Sequence, residues 1–153
     1  MILLEHATLP DAEVLLAAKI DAFSCDVALY GYGPPDYDSL EDISCAIVKS
    51  ENRYFKILKD GMLVGGVCAC DLGDGHFHLN SIYVFTPQQS GGTGTAAMRL
   101  LFDMFPEAQR WTLETPYLSV RNHHFYEKLG FVKTGETAPE SDGFTLFLYE
   151  KTK

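Results

Sequence analysis

Apolar residues recur along this chain with two different periods, and the changes between them predict the order of helices and strands. Residues 2–8, which begin with Ile-Leu-Leu, are predicted to form an opening strand. The segment Thr8-Leu-Pro-Asp11 has the features of a helix start, and the apolar residues after it continue at helical spacing. The periodicity breaks over residues 23–38, where we expect a loop. Ser39 resembles an N-cap with Asp42 in the first turn, which predicts a second helix.

Strand-like alternation follows in three segments that are joined by tight turns. Asp60-Gly61 is a strong hairpin signal and Asp74-Gly75 marks the next turn, so we expect an antiparallel meander. Further on, two strands are joined through a helix, which predicts parallel neighbours with a right-handed crossover. The segments predicted after the second helix are strands at 53–59, 62–71 and 77–85, a helix ending near 105–106, a strand at 111–115, a helix at 119–129 that stops at Gly130, and strands at 131–135 and 144–149.

This order of segments predicts a single domain over residues 1–153, of the α+β class, with a mixed α/β sheet. The chain is long enough to bury a substantial core. Its composition, 46% hydrophobic and 22% charged, is ordinary for a soluble globular protein. No repeat, low-complexity segment or linker divides the pattern.

The stretch from Ser81 to Met98 carries the strongest chemical signal in the chain. A strand of β-branched and aromatic residues passes Pro87, enters a turn with glycine at positions 91, 92 and 94, and runs at once into a helical pattern. The first N–H groups of a helix have no intrahelical partner, and the helix dipole adds roughly half a positive charge there. Glycines let a ligand's phosphates approach the backbone without meeting a Cβ. The stretch therefore predicts a site for a phosphate-bearing ligand.

Two familiar phosphate-binding motifs fit this turn poorly. A Walker A loop needs a lysine followed by Ser or Thr after the last glycine, whereas Gly94 is followed by Thr95-Ala96. A dinucleotide fingerprint is matched formally by Gly92-Thr-Gly94-Thr-Ala-Ala97, with Glu114 further along. That motif, however, wants its first glycine directly at the strand end and further parallel units around it. Here residues 86–90 intervene and the surrounding strands are antiparallel hairpins.

The turn instead resembles the acyl-CoA signature of the GNAT superfamily of N-acetyltransferases. The segment Pro87-Gln-Gln-Ser-Gly-Gly-Thr-Gly94 follows a strand, as in that signature, and a second characteristic segment comes later, Phe125-Tyr-Glu-Lys-Leu-Gly-Phe131. The order of predicted elements also resembles the family fold, β-α-α-β-β-β-α-β-α-β-β. The resemblance implies transfer of the acetyl group of acetyl-CoA to an amine. One departure is Ser119, where many members carry an asparagine; the asparagine of this chain is Asn122.

The resemblance also implies which residues would contact acetyl-CoA. Its pyrophosphate would lie on the backbone N–H groups of the glycine turn, and its pantetheine arm would run along the preceding strand like an added strand, in a gap where two parallel strands diverge. The implied contact residues are Ile82, Tyr83, Val84, Gln89, Ser90, Gly91, Gly92, Thr93, Gly94, Thr95, Asn122 and Tyr126.

Acetyl transfer to an amine needs a neutral amine, a stabilised oxyanion and an acid for the departing thiolate. A backbone N–H near Val84 would stabilise the oxyanion, and Tyr126 matches the family's acid position. His78, on the strand leading into the turn, is a candidate base with a suitable reference pKa of ~6.5. Glu114, at the end of the parallel strand, is the alternative base and would act through water. His123 and His124, near a helix end, are expected to be solvated or to cap that helix.

Charge and aromatic residues point to the class of acceptor. Twelve basic against 21 acidic residues give a net charge of −9, and no cluster of Lys and Arg suits nucleic acid. Acids gather at positions 26, 36, 38 and 41, beside a tyrosine-rich segment braced by proline. That segment is either a plain connector or a substrate-binding loop with Tyr30, Tyr32 and Tyr37 as contacts. A small molecule with an ammonium group is the expected acceptor, and a polyamine, an aminoglycoside, an amino acid and a protein N-terminus all remain open.

Other features predict the compartment of the protein and the partners it lacks. Its four cysteines lack the paired spacing of a zinc site, so we expect buried free thiols and no metal. The N-terminus is too short and too soon charged for a signal peptide, and no apolar run reaches the ~20 residues of a membrane span. We therefore expect a cytoplasmic protein without a membrane partner; a homodimer stays open. The alternative function is a CoA-binding sensor that kept the fold and lost turnover.

Overall fold

The computed structural model describes residues 1–31 and 37–153, and it confirms the predicted α+β class. The described residues form seven strands and four α-helices, with two short 3₁₀ helices at Leu9–Asp11 and Thr86–Gly91. The elements are β1 (Ile2–His6), α1 (Ala12–Tyr30), α2 (Leu40–Val48), β2 (Asn52–Lys59), β3 (Met62–Asp71), β4 (His76–Val84), α3 (Thr93–Met104), β5 (Arg110–Pro116), α4 (Val120–Lys128), β6 (Val132–Glu136) and β7 (Leu146–Thr152).

All seven strands belong to one mixed sheet in the order β1-β2-β3-β4-β5-β7-β6. Every neighbouring pair is antiparallel except β4 and β5, which are parallel, as the helix between them predicts. Their pairing is short: it runs from His76, opposite Arg110, only as far as His78, opposite Thr112. Beyond that point β4 stays paired with β3 and β5 stays paired with β7. The two central strands therefore part and leave a gap between their carboxyl-terminal halves.

A β-bulge lies where β4 leaves β5. The β3–β4 register shifts between Cys68 and Ala69, so that Asn80 on β4 is an extra residue without a partner in the ladder. A bulge bends its strand and increases the local twist. Because Asn80 follows the last β5-paired residues closely, the bend accounts for the divergence of the two strands.

The helices cover the two faces of the sheet separately. Helices α3 and α4 pack on one face, in a core that contains Phe77, Met98 and Leu113. Helices α1 and α2 cover the other face, around Leu15 and the buried pair Tyr54 and Tyr83, whose hydroxyl oxygens lie 2.5 Å apart.

The first helix is longer than its periodicity predicts. The expected loop over residues 23–38 is wrong in its first part, because α1 continues to Tyr30. Residues 23–30 contain no glycine or proline to break a helix. The helix ends at Gly31, which adopts a left-handed conformation with φ of 79° and whose N–H bonds the Val27 carbonyl. The capping of α2 is as predicted, since the Ser39 hydroxyl accepts from the Asp42 N–H at 3.2 Å.

The cysteines are free, but only in part buried. Cys68 is buried and Cys70 is half-buried, whereas Cys25 and Cys45 are exposed on α1 and α2, so the expectation of buried thiols fails for those two. No helix within residues 1–31 and 37–153 combines the length and the apolar character that crossing a membrane requires.

Gly65 on β3 lies directly against the backbone at the end of β4. A Cβ at this position would lie 2.1 Å from the Tyr83 carbonyl oxygen, so the backbone of β4 would have to move. We expect Gly65→Ala to lower the free energy of unfolding in urea by about 1–3 kcal/mol. Gly135→Ala is the matched control, since its new methyl group meets only Leu148 Cδ1, at 3.9 Å. Equal stability of the two variants would contradict this account.

Candidate active site

The glycine turn forms an open helix N-terminus at the end of β4. After Val84 the chain makes the 3₁₀ helix Thr86–Gly91, and Gly92 then adopts φ of 78° as the N-cap of α3. No side chain caps this helix. Its first N–H groups therefore have no side-chain partner, at the positive end of the helix dipole where the sequence predicts a phosphate-bearing ligand.

The three glycines of the turn serve two different purposes. A Cβ at Gly92 would meet nothing within 4 Å, and one at Gly91 would meet only the Lys59 Nζ atom, at 3.8 Å. These two positions leave room for a ligand. Gly94 does not, because a Cβ there would lie 3.3 Å from the ring of Phe125 on α4. The missing side chain at Gly94 lets α3 pack closely against α4, and the contact of its backbone N–H with a phosphate stays a prediction.

Thr93, the first residue of α3, buries a hydroxyl group that has no partner. The residue is 1% exposed, and its Oγ1 atom makes no hydrogen bond to any described residue. Buried polar groups are normally paired, so an orphaned hydroxyl beside an uncapped helix start needs an explanation. A phosphate-bearing ligand on this turn fits the room left by the glycines and the donors left by the helix.

Two cations that the sequence analysis missed lie against the turn. Lys59, at the end of β2, donates to the Gln88 side chain at 3.1 Å. Arg121, in the first turn of α4, donates to Gln89 Oε1 at 2.8 Å. Each comes from a segment distant in sequence, so no local spacing relates it to the glycines. Together they supply positive charge at the turn of a chain whose net charge is −9.

Gln89 links the turn to the strand before it. Its Nε2 donates to the Val84 carbonyl at 2.9 Å while its Oε1 accepts from Arg121. The backbone of Ile82 to Val84 borders the gap, since β5 pairs with β4 only up to His78. The Tyr83 side chain is buried on the opposite side from Val84 and bonds Tyr54, so Tyr83 offers a ligand its backbone alone.

Tyr126 projects from α4 into the buried core, where its ring lies near those of Phe131 and Tyr149. It is 9% exposed and belongs to the same buried cluster as Val84 and Leu113. Burial raises the pKa of Tyr126, so its hydroxyl is protonated throughout the neutral range. No hydrogen bond joins that hydroxyl to another residue in the described part of the chain. Asn122, one turn earlier on α4, is half-buried.

His123 is not solvated, contrary to expectation. It is 8% exposed, stacks on Phe147 with ring centroids 4.9 Å apart, and bonds the Pro116 carbonyl through Nε2 at 3.0 Å. Because a carbonyl only accepts, Nε2 must carry the proton. The residue fixes α4 to the end of β5. The sequence signal for its burial is its helical spacing from Tyr126, which puts both residues on the same face of α4.

His78 lies where the gap opens, on the face covered by α1 and α2. Its Nδ1 atom is 2.8 Å from the Thr112 hydroxyl, and Nε2 of His76 is also 2.8 Å from that oxygen. Burial lowers the pKa of His78, with a smaller opposing effect from the Glu114 carboxylate. The imidazole is therefore neutral at pH 7, as a base must be. Glu114 itself is exposed on β5.

The predicted acceptor residues are placed only in part. Tyr30 is the last residue of α1 instead of a loop residue, Tyr37 is half-buried before α2, and Tyr32 and Asp36 lie outside the described residues. Of the acids, Asp26 is half-buried, and burial raises its pKa against the attraction of Arg121.

The described part of the chain holds no cluster of three or more His, Cys, Asp or Glu side chains that is arranged to bind a metal ion. The glycine turn, the gap and His78 define the candidate site.

The chain is similar to known proteins in sequence and in fold. The sequence model of the acetyltransferase (GNAT) family matches residues 17–131. An uncharacterised protein of Bacillus subtilis, YrkN, is 35% identical over 79 residues, which are 50% of this chain and 43% of that protein. The match therefore spans less than half the length of this curated relative.

Solved structures of the same fold cover nearly the whole chain. An acetyltransferase from Thermus thermophilus superposes with a TM-score of 0.84 at 19% identity, over 100% of this chain and 97% of that one. The PaiA N-acetyltransferase of Thermoplasma acidophilum, determined in complex with coenzyme A, gives a TM-score of 0.82 at 16% identity, over 100% and 99%. At these identities the likeness shows the fold.

Proposed function

The chain belongs to the GNAT acetyltransferase family, and on that premise we propose that it transfers the acetyl group of acetyl-CoA to a primary amine, by direct attack in a ternary complex. The observation that carries the proposal is the uncapped N-terminus of α3 beside the gap between β4 and β5. An anion site and an unpaired strand edge adjoin there. They match the two parts of CoA, a phosphate-rich end and an amide-bearing arm.

The residues present fit acetyl-CoA. The N–H groups from Gln89 to Thr95 would hold the pyrophosphate, and the backbone of Ile82 to Val84 would pair with the pantetheine arm. Lys59 and Arg121 would add charge-assisted contacts to the phosphates. The side chains of Asn122 and Tyr126 would border the arm from α4. When bound, acetyl-CoA supplies an activated acetyl thioester to this site.

His78 would take the proton from the attacking amine. Its pKa is lowered by burial, so the neutral base is already populated below pH 6.5, and the acid limb of the pH–rate profile should fall below that value. Glu114, acting through water, is the alternative base, and its exposed position on β5 near His78 supports that role less directly. A backbone N–H near Val84 would stabilise negative charge on the carbonyl oxygen.

Tyr126 would donate its hydroxyl hydrogen to the departing thiolate. Because burial raises the pKa of Tyr126, the donor form is always present. The same burial makes the phenolate costly, which favours hydrogen-bond donation over a lasting loss of the proton.

A small molecule with an ammonium group is the proposed acceptor. Tyr30 ends α1 and Tyr37 precedes α2, and Asp38 and Glu41 at the start of α2 are exposed. Cationic acceptors are favoured by these acids and by the net charge of −9.

Thiol release tests the function directly. The purified protein is given acetyl-CoA and a panel of polyamines, aminoglycosides, amino acids and peptide N-termini, and free CoA thiol is measured. We expect amine-dependent release with at least one class. Tight binding of acetyl-CoA with no release for any amine would overturn the proposal in favour of a sensor.

Lys59 and Arg121 should contribute to CoA affinity. Removing one charge-assisted contact typically costs about 1.5 kcal/mol, so Lys59→Met and Arg121→Met should each weaken CoA binding about tenfold in calorimetry. Both effects should shrink as salt is added. Lys128→Met, on the exposed last turn of α4, is the control and should bind CoA normally. Unchanged affinity in both test variants would remove these residues from the site.

Tyr126→Phe should lower kcat about a hundredfold and leave CoA affinity nearly unchanged, because only the hydroxyl that serves the leaving group is lost. Steady-state kinetics with an amine found in the panel, together with calorimetry, separates the two quantities. Tyr149→Phe, which removes a hydroxyl bonded to Glu127 at 2.9 Å, is the matched control. A wild-type rate for Tyr126→Phe would exclude its role as the acid.

A further inference from the structure

We propose that Thr112 and His76 form a proton relay that carries the amine's proton from His78 to the surface. The inference rests on the proposed function and adds to it two residues that neither motif contains. His76 and Thr112 would be positioning and relay residues, since His78 alone would face the substrate.

The geometry places one hydroxyl between two imidazoles. His76 and His78 alternate on β4, so both side chains stand on the same face of the sheet. Thr112 is opposite His78 in the parallel register, and its Oγ1 atom is 2.8 Å from His76 Nε2 and 2.8 Å from His78 Nδ1. These residues close the last paired segment of β4 and β5. The bridge is therefore held by strand pairing on the edge of the gap.

Hydrogen-bond chemistry gives this bridge a direction. A threonine hydroxyl has a single hydrogen, so it can donate to only one of the two rings. For His78 to accept a proton at Nε2, its Nδ1 must already carry hydrogen and donate it to Thr112 Oγ1. Thr112 then donates to His76 Nε2. In this arrangement both rings are neutral and both are protonated at Nδ1.

The relay conserves protons at every step. The amine N–H bond breaks as the His78 Nε2–H bond forms. The His78 Nδ1–H bond then breaks as its hydrogen joins Thr112 Oγ1, while the original Thr112 hydrogen moves to His76 Nε2. His76 becomes the imidazolium ion and releases a proton to water from its own Nδ1. Thr112 ends with one hydrogen, as it began, whereas both rings end protonated at Nε2. Once the product has left, His78 Nε2 releases its proton to water and His76 Nδ1 takes one up, and the reverse transfer through Thr112 restores the starting tautomers.

The charges around the two rings are compatible with transfer. Burial lowers the pKa of His78 and of His76, so neither ring retains a proton strongly at neutral pH. Glu114 opposes this effect at His78. At His76, Arg110 lowers the pKa further and Glu150 raises it, and these two residues form a salt bridge of 3.1 Å with each other. His78 is the more deeply buried ring, so the direction from His78 to His76 leads outward.

Nuclear magnetic resonance of the free protein tests the relay without a substrate. Long-range proton–nitrogen spectra report the tautomer of each ring, and we expect His76 and His78 both to be protonated at Nδ1 at pH 7.5. Thr112→Val keeps the shape and removes the hydroxyl, so titration of one ring should no longer shift the nitrogen resonances of the other. Thr112→Ser should keep the coupling. A His78 ring protonated at Nε2 in the wild type would overturn the proposal, whatever the variants do.

Steady-state kinetics is the second test of the relay. With an amine from the panel, Thr112→Val should lower kcat about tenfold, less than the roughly hundredfold loss expected for removal of the base itself, and should leave the KM for acetyl-CoA unchanged. Thr112→Ser should restore most of the rate. Equal rates for the two variants would refute the relay and leave acetyl transfer intact. Absence of any turnover in the wild type would refute the proposed function, and with it the relay as a catalytic route.

Discussion

The structure depends on where two parallel strands stop pairing. A β-sheet satisfies backbone N–H and C=O groups by continuous ladders, and an interruption in its middle leaves such groups exposed to the interior. In this protein β4 and β5 separate after His78 and Thr112. At the last residue of each strand, a side chain donates a hydrogen bond to the backbone carbonyl. Gln89 donates to the Val84 carbonyl, and His123 donates to the Pro116 carbonyl. The gap is thus stabilised by the elements that follow each strand.

Most of the fold could be predicted from the chain's own periodicity and turn residues. The meander, its two Asp-Gly turns and the parallel pair joined by α3 followed from local signals, and the structure has them within a few residues. The continuation of α1 through residues 23–30 did not follow, because its apolar residues lose a clear helical spacing there while nothing in the segment breaks a helix. The insertion of β7 between β5 and β6 depends on long-range pairing, which no local pattern encodes.

The part of the candidate site that could be predicted is the part that lies within two sequence motifs. The glycine turn and the segment around Tyr126 indicated the family, which is confirmed, and predicted an anion site at the turn. The gap was predicted from the family resemblance instead of from the residue pattern. Lys59, Thr112 and His76 lie outside both motifs, and they enter the site only through the sheet register and the approach of β2 to the turn. A residue whose role is set by a neighbour on another strand has no signature of its own in a single sequence.

The single extra residue in β4 determines which side chains share a face. In a regular strand two residues separated by an odd number of positions point to opposite faces. His78 and Tyr83 are such a pair, yet the bulge at Asn80 changes the phase, and Tyr83 lies on the α1 side together with the histidines. The same change keeps Leu79 and Ile82 both toward α3. Because of this one inserted residue, the histidines of β4 lie on one face of the sheet, while the apolar residues on both sides of the bulge belong to one continuous core on the other face.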